Sequence, residues 1–338
     1  MFKRLAKVSL AGLLFCVAAL LVALHTHPGL GRWQAYLAGD SDRTPRENAL
    51  RINWLGTATV HITDGKTHLL TDGFFSRPSL LTLATGPVAP DAERIDEALA
   101  GYGIEHVDAV LVLHSHYDHA MDAPLVARRT GAILTGSAST ANVGRGMGLA
   151  EQAIDTVIDG DTRTYGDFKV TFIASDHVPQ NALVDRATGM NETIDAPLEP
   201  PAWINAWKEG VSWSVLVEHP NGNVLIQGSA GYRDGQLDGR QADLALVSST
   251  GLFRQSDAFQ RGYVENTVTA SGASLVVPIH WDDFFVALRP AGETPPLPWI
   301  IEHLNGSFSA LVDPMAETNS RFMVVRPGEP FWFSSSRP

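Results

Sequence analysis

His114-Ser115-His116-Tyr117-Asp118-His119 is the stretch of sequence on which the fold and the function depend. It directly follows the apolar run Ala109 to Leu113, which predicts a buried strand. Three imidazoles and a carboxylate within six residues, at the carboxyl end of a strand, are ligands that a borderline-soft divalent cation prefers. The alternative is that the histidines face solvent and that Asp118 is the N-cap of a helix. Because the spacing offers ligands to two adjacent ions, we predict a metal site.

Two later histidines follow predicted strands in the same way. His177 comes shortly after the strand that ends at Ala174, and His280 directly follows the apolar run Leu275 to Ile279. A single histidine in either place is more often structural, but the first cluster makes both of them predicted metal ligands. The remaining seven histidines lack such company and are assigned no role: His25, His27, His61, His68, His106, His219 and His303.

The composition limits the class of protein. The chain has 338 residues and is 44% hydrophobic, which suits a globular protein with a sizeable core. Its net charge is -12, and lysine and arginine cluster only near the N-terminus, so nucleic acid is not expected as a partner. Cys16 is the single cysteine, which excludes a disulfide framework and a thiolate ligand set.

The N-terminus has the layout of an export signal. Lys3, Arg4 and Lys7 precede an uncharged run of seventeen residues from Val8 to Leu24. The run is long enough for either a cleaved signal peptide or an uncleaved membrane anchor, and both alternatives stay open. We therefore expect a periplasmic or otherwise extracytoplasmic protein, secreted or anchored in the inner membrane, with membrane association through this segment. The predicted division is residues 1–28 as signal or anchor, 29–49 as a linker and 50–338 as the folded domain.

Apolar runs and turn residues predict an alternation of strands and helices after the linker. Asp64-Gly65 and Pro220-Asn221-Gly222 are typical of hairpin turns. The stretch 185–210, with its prolines and with Trp203 and Trp207, resembles an inserted loop. The predicted strands are 50–54, 57–63, 67–71, 109–113, 132–135, 156–158, 162–165, 168–174, 212–218, 224–227, 244–248 and 274–279. The predicted helices are 90–99, 123–129, 139–147 and 259–270.

The order of these motifs resembles a known family. His114-x-His116-x-Asp118-His119, then His177, a turn at Gly228 and a final His280 are similar to the metal motifs of the metallo-β-lactamase superfamily. The resemblance spans roughly residues 51–285. It implies an α/β fold, a four-layer αβ/βα sandwich of two mixed β-sheets with the site at one edge. The segments Thr71 to Pro78 and Pro278 to Asp282 are similar to the branch that contains ascorbate-lactonase-like and phospholipase-D-like hydrolases.

The resemblance also implies a ligand set. His114, His116 and His177 would hold one metal ion, and Asp118, His119 and His280 a second. Asp72 matches an aspartate that supports the site as a hydrogen-bond acceptor. Where much of the superfamily has a bridging aspartate after the glycine, this chain has Gly228-Ser229. We expect two Zn²⁺ per chain, with a second ion that could be held weakly, because a serine hydroxyl is a poor zinc ligand.

The predicted activity follows from such a site. A metal-bound water with a pKa near ~7 would supply hydroxide to an ester, lactone, amide or phosphodiester. Asp118 would orient this nucleophile, and Ser229 and Tyr232 are candidate catalytic donors to the leaving group, although both could be ordinary loop residues. Trp281, next to His280, is expected near the pocket. The substrate would be a small or lipid-like molecule. The alternatives are β-lactam hydrolysis, a non-catalytic metal-binding protein and a di-iron redox protein.

Overall fold

Two seven-stranded sheets form the frame of the protein in a computed structural model, which describes residues 15–289 and 292–335. The strands run in the order β14-β1-β2-β3-β4-β5-β6 in one sheet and β13-β12-β11-β10-β9-β8-β7 in the other. Their bounds are Leu50–Trp54 (β1), Val60–Thr63 (β2), His68–Thr71 (β3), Ala109–Leu111 (β4), Ile133–Gly136 (β5), Ile154–Thr156 (β6), Thr162–Tyr165 (β7), Phe168–Ser175 (β8), Ser212–Glu218 (β9), Val224–Gln227 (β10), Leu244–Ser248 (β11), Leu275–Ile279 (β12), Arg321–Phe322 (β13) and Phe331–Phe333 (β14).

Helices cover the outer faces of the sheets. The α-helices are Asp40–Arg43 (α1), Leu80–Thr85 (α2), Ala92–Gly101 (α3), Tyr117–Ala120 (α4), Ala123–Thr130 (α5), Ala138–Gly146 (α6), Ala182–Thr188 (α7), Asp257–Val264 (α8) and Leu304–Met315 (α9). A π-helical turn, Glu265–Thr269, extends α8. Short 3₁₀ turns occupy Gly31–Tyr36, Glu151–Ala153, Ile204–Ala206 and Leu252–Arg254.

Both sheets are mixed, and they share one design. In each sheet, one half is antiparallel and the other half is parallel. The parallel strands are β3 to β6 in the first sheet and β10 to β13 in the second. Residues of β4 alternate between the two sides, since Ala109 and Leu111 belong to the core between the sheets and Val110 belongs to the core under the helices. This arrangement confirms the predicted α/β sandwich of two mixed β-sheets.

Several local predictions are confirmed because their signals are short-range. Five strands have the predicted bounds: β1, β7, β9, β10 and β11. The turn Asp64-Gly65 joins the antiparallel strands β2 and β3, and Gly65 adopts the left-handed φ of 92° that such a turn requires. The helix predicted over 90–99 begins after Asp91, whose side chain accepts a hydrogen bond from the backbone N–H of Arg94.

Other elements were not predicted. Five helices (α1, α2, α4, α7 and α9) and two strands (β13 and β14) lie in stretches where the sequence patterns predicted neither a helix nor a strand. The stretch 29–49, predicted as a linker, also differs from expectation, because Trp33 is 3% exposed and packs edge-on against Phe308. A buried tryptophan fixes this segment to the folded domain. The division of the chain into domains stays a prediction.

The N-terminal signal or anchor lies partly outside the described residues. Residues 15–24 form an exposed helix, and Cys16 on it is exposed. Within the ranges 15–289 and 292–335, no helix is both long and apolar enough to cross a bilayer.

A buried ion pair joins the two sheets near the predicted metal ligands. Arg77 follows β3 and donates from Nη2 to Oδ2 of Asp282 at 2.7 Å, and both side chains are completely buried. The other carboxylate oxygen of Asp282 accepts a hydrogen bond from the backbone N–H of Thr57 at 2.7 Å. Gly56 must be glycine here, because a Cβ at that position would lie 1.9 Å from Nη2 of Arg77. The pair therefore fixes the loop after β12 to the first sheet.

Replacing Arg77 with methionine would leave Asp282 buried without its cation. We expect Arg77→Met to lower the free energy of unfolding by about 3–5 kcal/mol, as is typical when one partner of a buried pair is removed. The matched control is Arg129→Met, which breaks a surface ion pair with Asp96 and should cost much less. Urea denaturation measures both, and equal losses in the two variants would show that the buried pair does not hold the sheets.

A second buried carboxylate, that of Asp122, fixes the loop after β3. Its Oδ2 accepts hydrogen bonds from the backbone N–H groups of Phe75 and Ser76 at 2.7 and 2.6 Å, and its Oδ1 accepts one from the Ser76 hydroxyl at 2.6 Å. Burial outweighs these hydrogen bonds and raises the pKa of Asp122 to about 6.

This raised pKa predicts a pH dependence. Aspartate in an unfolded chain has a pKa of about 3.9, so the folded protein binds this proton more tightly than the unfolded chain does. The contribution of Asp122 to the free energy of unfolding therefore falls as the pH rises from about 4 to about 6. We expect the free energy of unfolding of the wild type, relative to that of Asp122→Asn, to fall by up to roughly 3 kcal/mol over that range. Urea denaturation of both proteins measures this change. A difference independent of pH would refute the raised pKa.

Candidate metal centre

The predicted ligands meet at one edge because each follows a strand whose carboxyl end lies there. His114 follows β4, and His116 is the N-cap residue of the one-turn helix α4, which carries Asp118 and His119. His177 follows β8 and His280 follows β12, both in the second sheet. The first sheet thus contributes four of the side chains and the second sheet contributes two.

Two groups of three donors lie side by side at this edge. In each group the potential ligand atoms lie within 4.8 Å of one another: His114, His116 and His177 in the first, and Asp118, His119 and His280 in the second. These are the two sets that the resemblance implied. The imidazole rings of His114 and His119 join the groups, with their centroids 3.7 Å apart.

The spacing of the donor atoms fits divalent cations. Ligand atoms about 2.1 Å from a tetrahedral zinc ion lie about 3.4 Å from one another. In the first group Nε2 of His114 is 3.1 Å from Nδ1 of His116. In the second group Nε2 of His280 is 3.3 Å from Nε2 of His119 and 3.5 Å from Oδ2 of Asp118. Nitrogen and carboxylate donors at these separations suit zinc or a similar ion.

Outer hydrogen bonds orient the rings. Asp72 accepts from Nδ1 of His119 at 2.7 Å through one oxygen and from the backbone N–H of Leu113 at 2.8 Å through the other. His177 donates from Nδ1 to the carbonyl oxygen of Val178 at 3.0 Å. In both rings Nε2 keeps its lone pair for a metal ion. Asp72 thus occupies the supporting position that the resemblance implied.

Burial sets the charge of the histidines. It lowers the pKa of His114 well below the ordinary value, and it lowers the pKa of His116 to about 3 together with the neighbouring His177. Burial also lowers the pKa of His119, but the carboxylates of Asp72 and Asp118 outweigh it and the pKa ends above the ordinary value. At neutral pH the rings of His114 and His116 are therefore uncharged, which is the form that binds metal.

The three other site predictions had different outcomes. Ser229 lines the cavity beside the ligands, where its Oγ accepts a hydrogen bond from the backbone N–H of Val178 at 3.0 Å. Tyr232 does not line this cavity, because its ring packs on Phe259, 5.1 Å away between centroids. Trp281 was expected near the pocket, and that is wrong: it is 1% exposed in the core and packs on Trp54.

A third group of donors does not suit a metal. Asp64, Asp167 and His219 also lie within 4.8 Å of one another. However, Nδ1 of His219 accepts a hydrogen bond from the backbone N–H of Asn221 at 3.0 Å. The neutral ring must then carry its proton on Nε2, which faces Asp64 at 3.6 Å, and neither nitrogen has a free lone pair. This group is a polar contact at the hairpin turns.

A cavity of about 460 Å³ opens beside both ligand groups. It reaches His116, Asp118 and His280 on its polar side, whereas the rest of its wall is mostly apolar. Those walls were not predicted, because they come from short helices and loops: Leu80, Leu83, Val184, Ile204, Phe284 and Ile301. Ser79 before Leu80 was an available signal, since its side chain caps α2 by accepting from the backbone N–H of Thr82.

Comparison with known proteins agrees with the fold. A family model described as the metallo-beta-lactamase superfamily matches residues 52–189. The chain is 32% identical over 154 residues to a UPF0173 metal-dependent hydrolase from Cupriavidus necator, which covers 44% of this chain and 49% of that protein. The chain therefore spans about half the length of this relative.

Solved structures share the fold at low identity. Igni18, a metallo hydrolase from Ignicoccus hospitalis, has a TM-score of 0.52 and 14% identity, covering 85% of this chain and 100% of its own. The metallo-beta-lactamase fold protein YhfI from Bacillus subtilis has a TM-score of 0.50 and 13% identity, covering 84% of this chain and 99% of its own. These likenesses concern the fold alone.

The contact between Asp72 and His119 generates a prediction. An amide at position 72 would favour the wrong tautomer of His119, so we expect Asp72→Asn to weaken metal binding about 10–100-fold. The control is Asp122→Asn, which alters another fully buried aspartate that touches none of the six ligands and should leave the affinity unchanged. Titration with zinc monitored by calorimetry measures both variants. Equal affinities in the two would mean that Asp72 does not orient His119.

Proposed function

We propose that this chain is a zinc-dependent hydrolase of the metallo-β-lactamase superfamily, which cleaves an ester, lactone, amide or phosphodiester bond. The observation that supports this most is the pair of three-donor groups opening onto one cavity. Two sets of three protein ligands, each with room for a further ligand, are typical of catalytic rather than structural sites. The assignment to the ascorbate-lactonase-like and phospholipase-D-like branch stays a prediction.

The residues of the site divide into holding and reacting roles. The first group would hold one ion and the second group the other, with His114 and His119 between them. When bound, divalent cations supply Lewis acidity that lowers the pKa of water and polarises the scissile bond. Asp118 is the carboxylate at the cavity, and it would accept a hydrogen bond from the attacking water and orient it.

The residues around Asp118 also favour metal-assisted hydrolysis. Asp118 keeps its negative charge at neutral pH, because the imidazoles of His119 and His280 outweigh burial and hold its pKa below the ordinary value. The mostly apolar walls make the surroundings of the site less polar than water, which strengthens electrostatic interactions with the substrate. Ser229 is 6% exposed at this cavity and can donate its hydroxyl proton to a substrate oxygen while accepting from Val178.

We also propose that the enzyme works outside the cytoplasm. The basic residues Lys3, Arg4 and Lys7 followed by the apolar run Val8 to Leu24 support this, since positive charge stays on the cytoplasmic side. The net charge of -12 argues against nucleic acid as a substrate. A small or lipid-like substrate agrees with the apolar walls of the cavity.

Metal content and hydrolysis together test the proposal. We expect close to two zinc equivalents per full-length chain and hydrolysis of generic esters or phosphodiesters. His116→Ala and Asp118→Ala should reduce kcat/KM at least about 1,000-fold, because metal ions supply several kcal/mol of transition-state stabilisation. The control is His106→Ala, which alters an exposed histidine.

Elemental mass spectrometry and a hydrolysis screen give the readouts. Full activity in His116→Ala would refute the proposed site. A zinc-loaded wild type that hydrolyses no ester, lactone, amide, phosphodiester or β-lactam would favour a non-catalytic metal-binding protein, in which Gly228-Ser229 has replaced the bridging carboxylate.

A further inference from the structure

Exposed apolar side chains lie on the chain segments that form the cavity wall. Each one lines the wall itself or lies within two residues of a residue that does. Leu81 is 72% exposed on α2, Leu183 is 78% exposed on α7, and Trp203 is 53% exposed directly before Ile204. Trp299 and Ile300, 54% and 41% exposed, directly precede Ile301. We call Leu81, Leu183, Val184, Trp203, Trp299 and Ile300 the rim.

Exposed large hydrophobic side chains are concentrated in the rim and are not scattered over the surface. Exposed single hydrophobic residues are normal on soluble proteins. Here, thirteen large hydrophobic side chains are exposed in the described ranges, and eleven of them belong to the rim or to the N-terminal helix at residues 15–24. The other two are Tyr36 and Ile158. Such segregation marks an interaction surface.

The N-terminal helix is attached to this same surface. The backbone N–H of Trp299 donates to the carbonyl oxygen of Thr26 at 3.2 Å. Nδ1 of His27 donates to the carbonyl oxygen of Pro296 at 2.8 Å and lies 3.7 Å from Asp283. The apolar run that ends at Leu24 therefore meets the chain next to the cavity entrance.

The chemistry of the rim favours a lipid bilayer as the occupant. Tryptophan is enriched where protein meets the membrane interface, because its ring is apolar and its indole N–H is polar. The rim contains two exposed tryptophans, and the adjoining run from Val8 to Leu24 has no charged residue. Lys3, Arg4 and Lys7 precede that run and suit anionic lipid head groups.

We propose that the rim inserts into the surface of a lipid bilayer and that the substrate is an amphiphile that enters the cavity from the bilayer. This inference rests on the proposed hydrolase function for the reaction itself. The apolar chain of the amphiphile lies along Leu80, Leu83 and Val184, and the bond to be cleaved reaches Asp118. The rim thus selects substrates by their presence in a membrane.

Tryptophan fluorescence tests the contact without any catalysis. Trp203 and Trp299 are the two tryptophans exposed in the described residues, and five of the others are buried. The full chain is reconstituted into vesicles of phosphatidylethanolamine and phosphatidylglycerol whose acyl chains carry bromine, which quenches fluorescence on contact. We expect quenching in the wild type and loss of most of it in Trp203→Phe/Trp299→Phe. Absence of quenching, or quenching that the double variant retains in full, overturns the membrane contact and leaves a protein partner as the occupant.

Kinetics test the route of the substrate. The rates on a long-chain ester embedded in vesicles and on its water-soluble short-chain analogue are compared as a ratio. In Leu81→Glu/Leu183→Glu we expect this ratio to fall at least about tenfold, because two apolar contacts with the bilayer are lost. The matched control, Ile158→Glu, alters a side chain that is 69% exposed away from the rim and should keep the ratio.

The outcomes separate the two proposals. A ratio unchanged in the rim variant overturns entry from the bilayer. A zinc-loaded wild type that hydrolyses neither ester overturns the proposed function, whereas the fluorescence result still decides whether the rim contacts the membrane.

Discussion

The buried ion pair of Arg77 and Asp282 is the constraint on which the arrangement of the metal centre depends. The six candidate ligands come from two separate sheets, so their spacing requires that the sheet edges be fixed to a fraction of an ångström. Arg77 lies five residues after Asp72 on the first sheet, and Asp282 lies two residues after His280 on the second. Their 2.7 Å contact between two fully buried side chains resists any shift of one edge against the other. Main-chain bonds add to it, since the backbone N–H of Trp213 in β9 donates to the carbonyl oxygen of Leu113.

Within that frame, burial and the neighbouring carboxylates set the pKa values of the histidines at the metal centre. Burial lowers the pKa of His114, His116 and His177, whereas the pKa of His119 is raised because it contacts the carboxylate of Asp72 and lies near that of Asp118. The hydrogen bond from Nδ1 of His119 to Asp72 leaves its Nε2 directed at the second group. Because neutral imidazoles and carboxylates bind metal, the affinity of the centre for a divalent cation would depend on pH.

The chemistry of the site could be predicted from the sequence, but the shape of its surroundings could not. The spacing of His114, His116, Asp118 and His119 after an apolar run is a local signal, and the strands that precede His177 and His280 are also local. Trp281 was misplaced because His280 adopts a left-handed φ of 63°, which turns the next side chain into the core. The walls of the cavity were missed for a different reason. Helices of six or seven residues, such as α2 and α7, are too short to show a helical period, and their positions depend on tertiary packing.

The substitution of a bridging aspartate by Gly228-Ser229 has a structural context that links it to the substrate. Gly228 has no room for a side chain, because a Cβ there would lie 2.6 Å from Leu113. Ser229 in turn supports the loop that carries His177, since its Oγ accepts from the backbone N–H of Val178. The donor set consequently contains five imidazoles and a single carboxylate, Asp118. Cations bound by so few negative charges would keep most of their own charge, which would favour an anionic or strongly polar group at that end of the cavity. The opposite walls are apolar, so the cavity is complementary to a molecule with a polar head and an apolar chain.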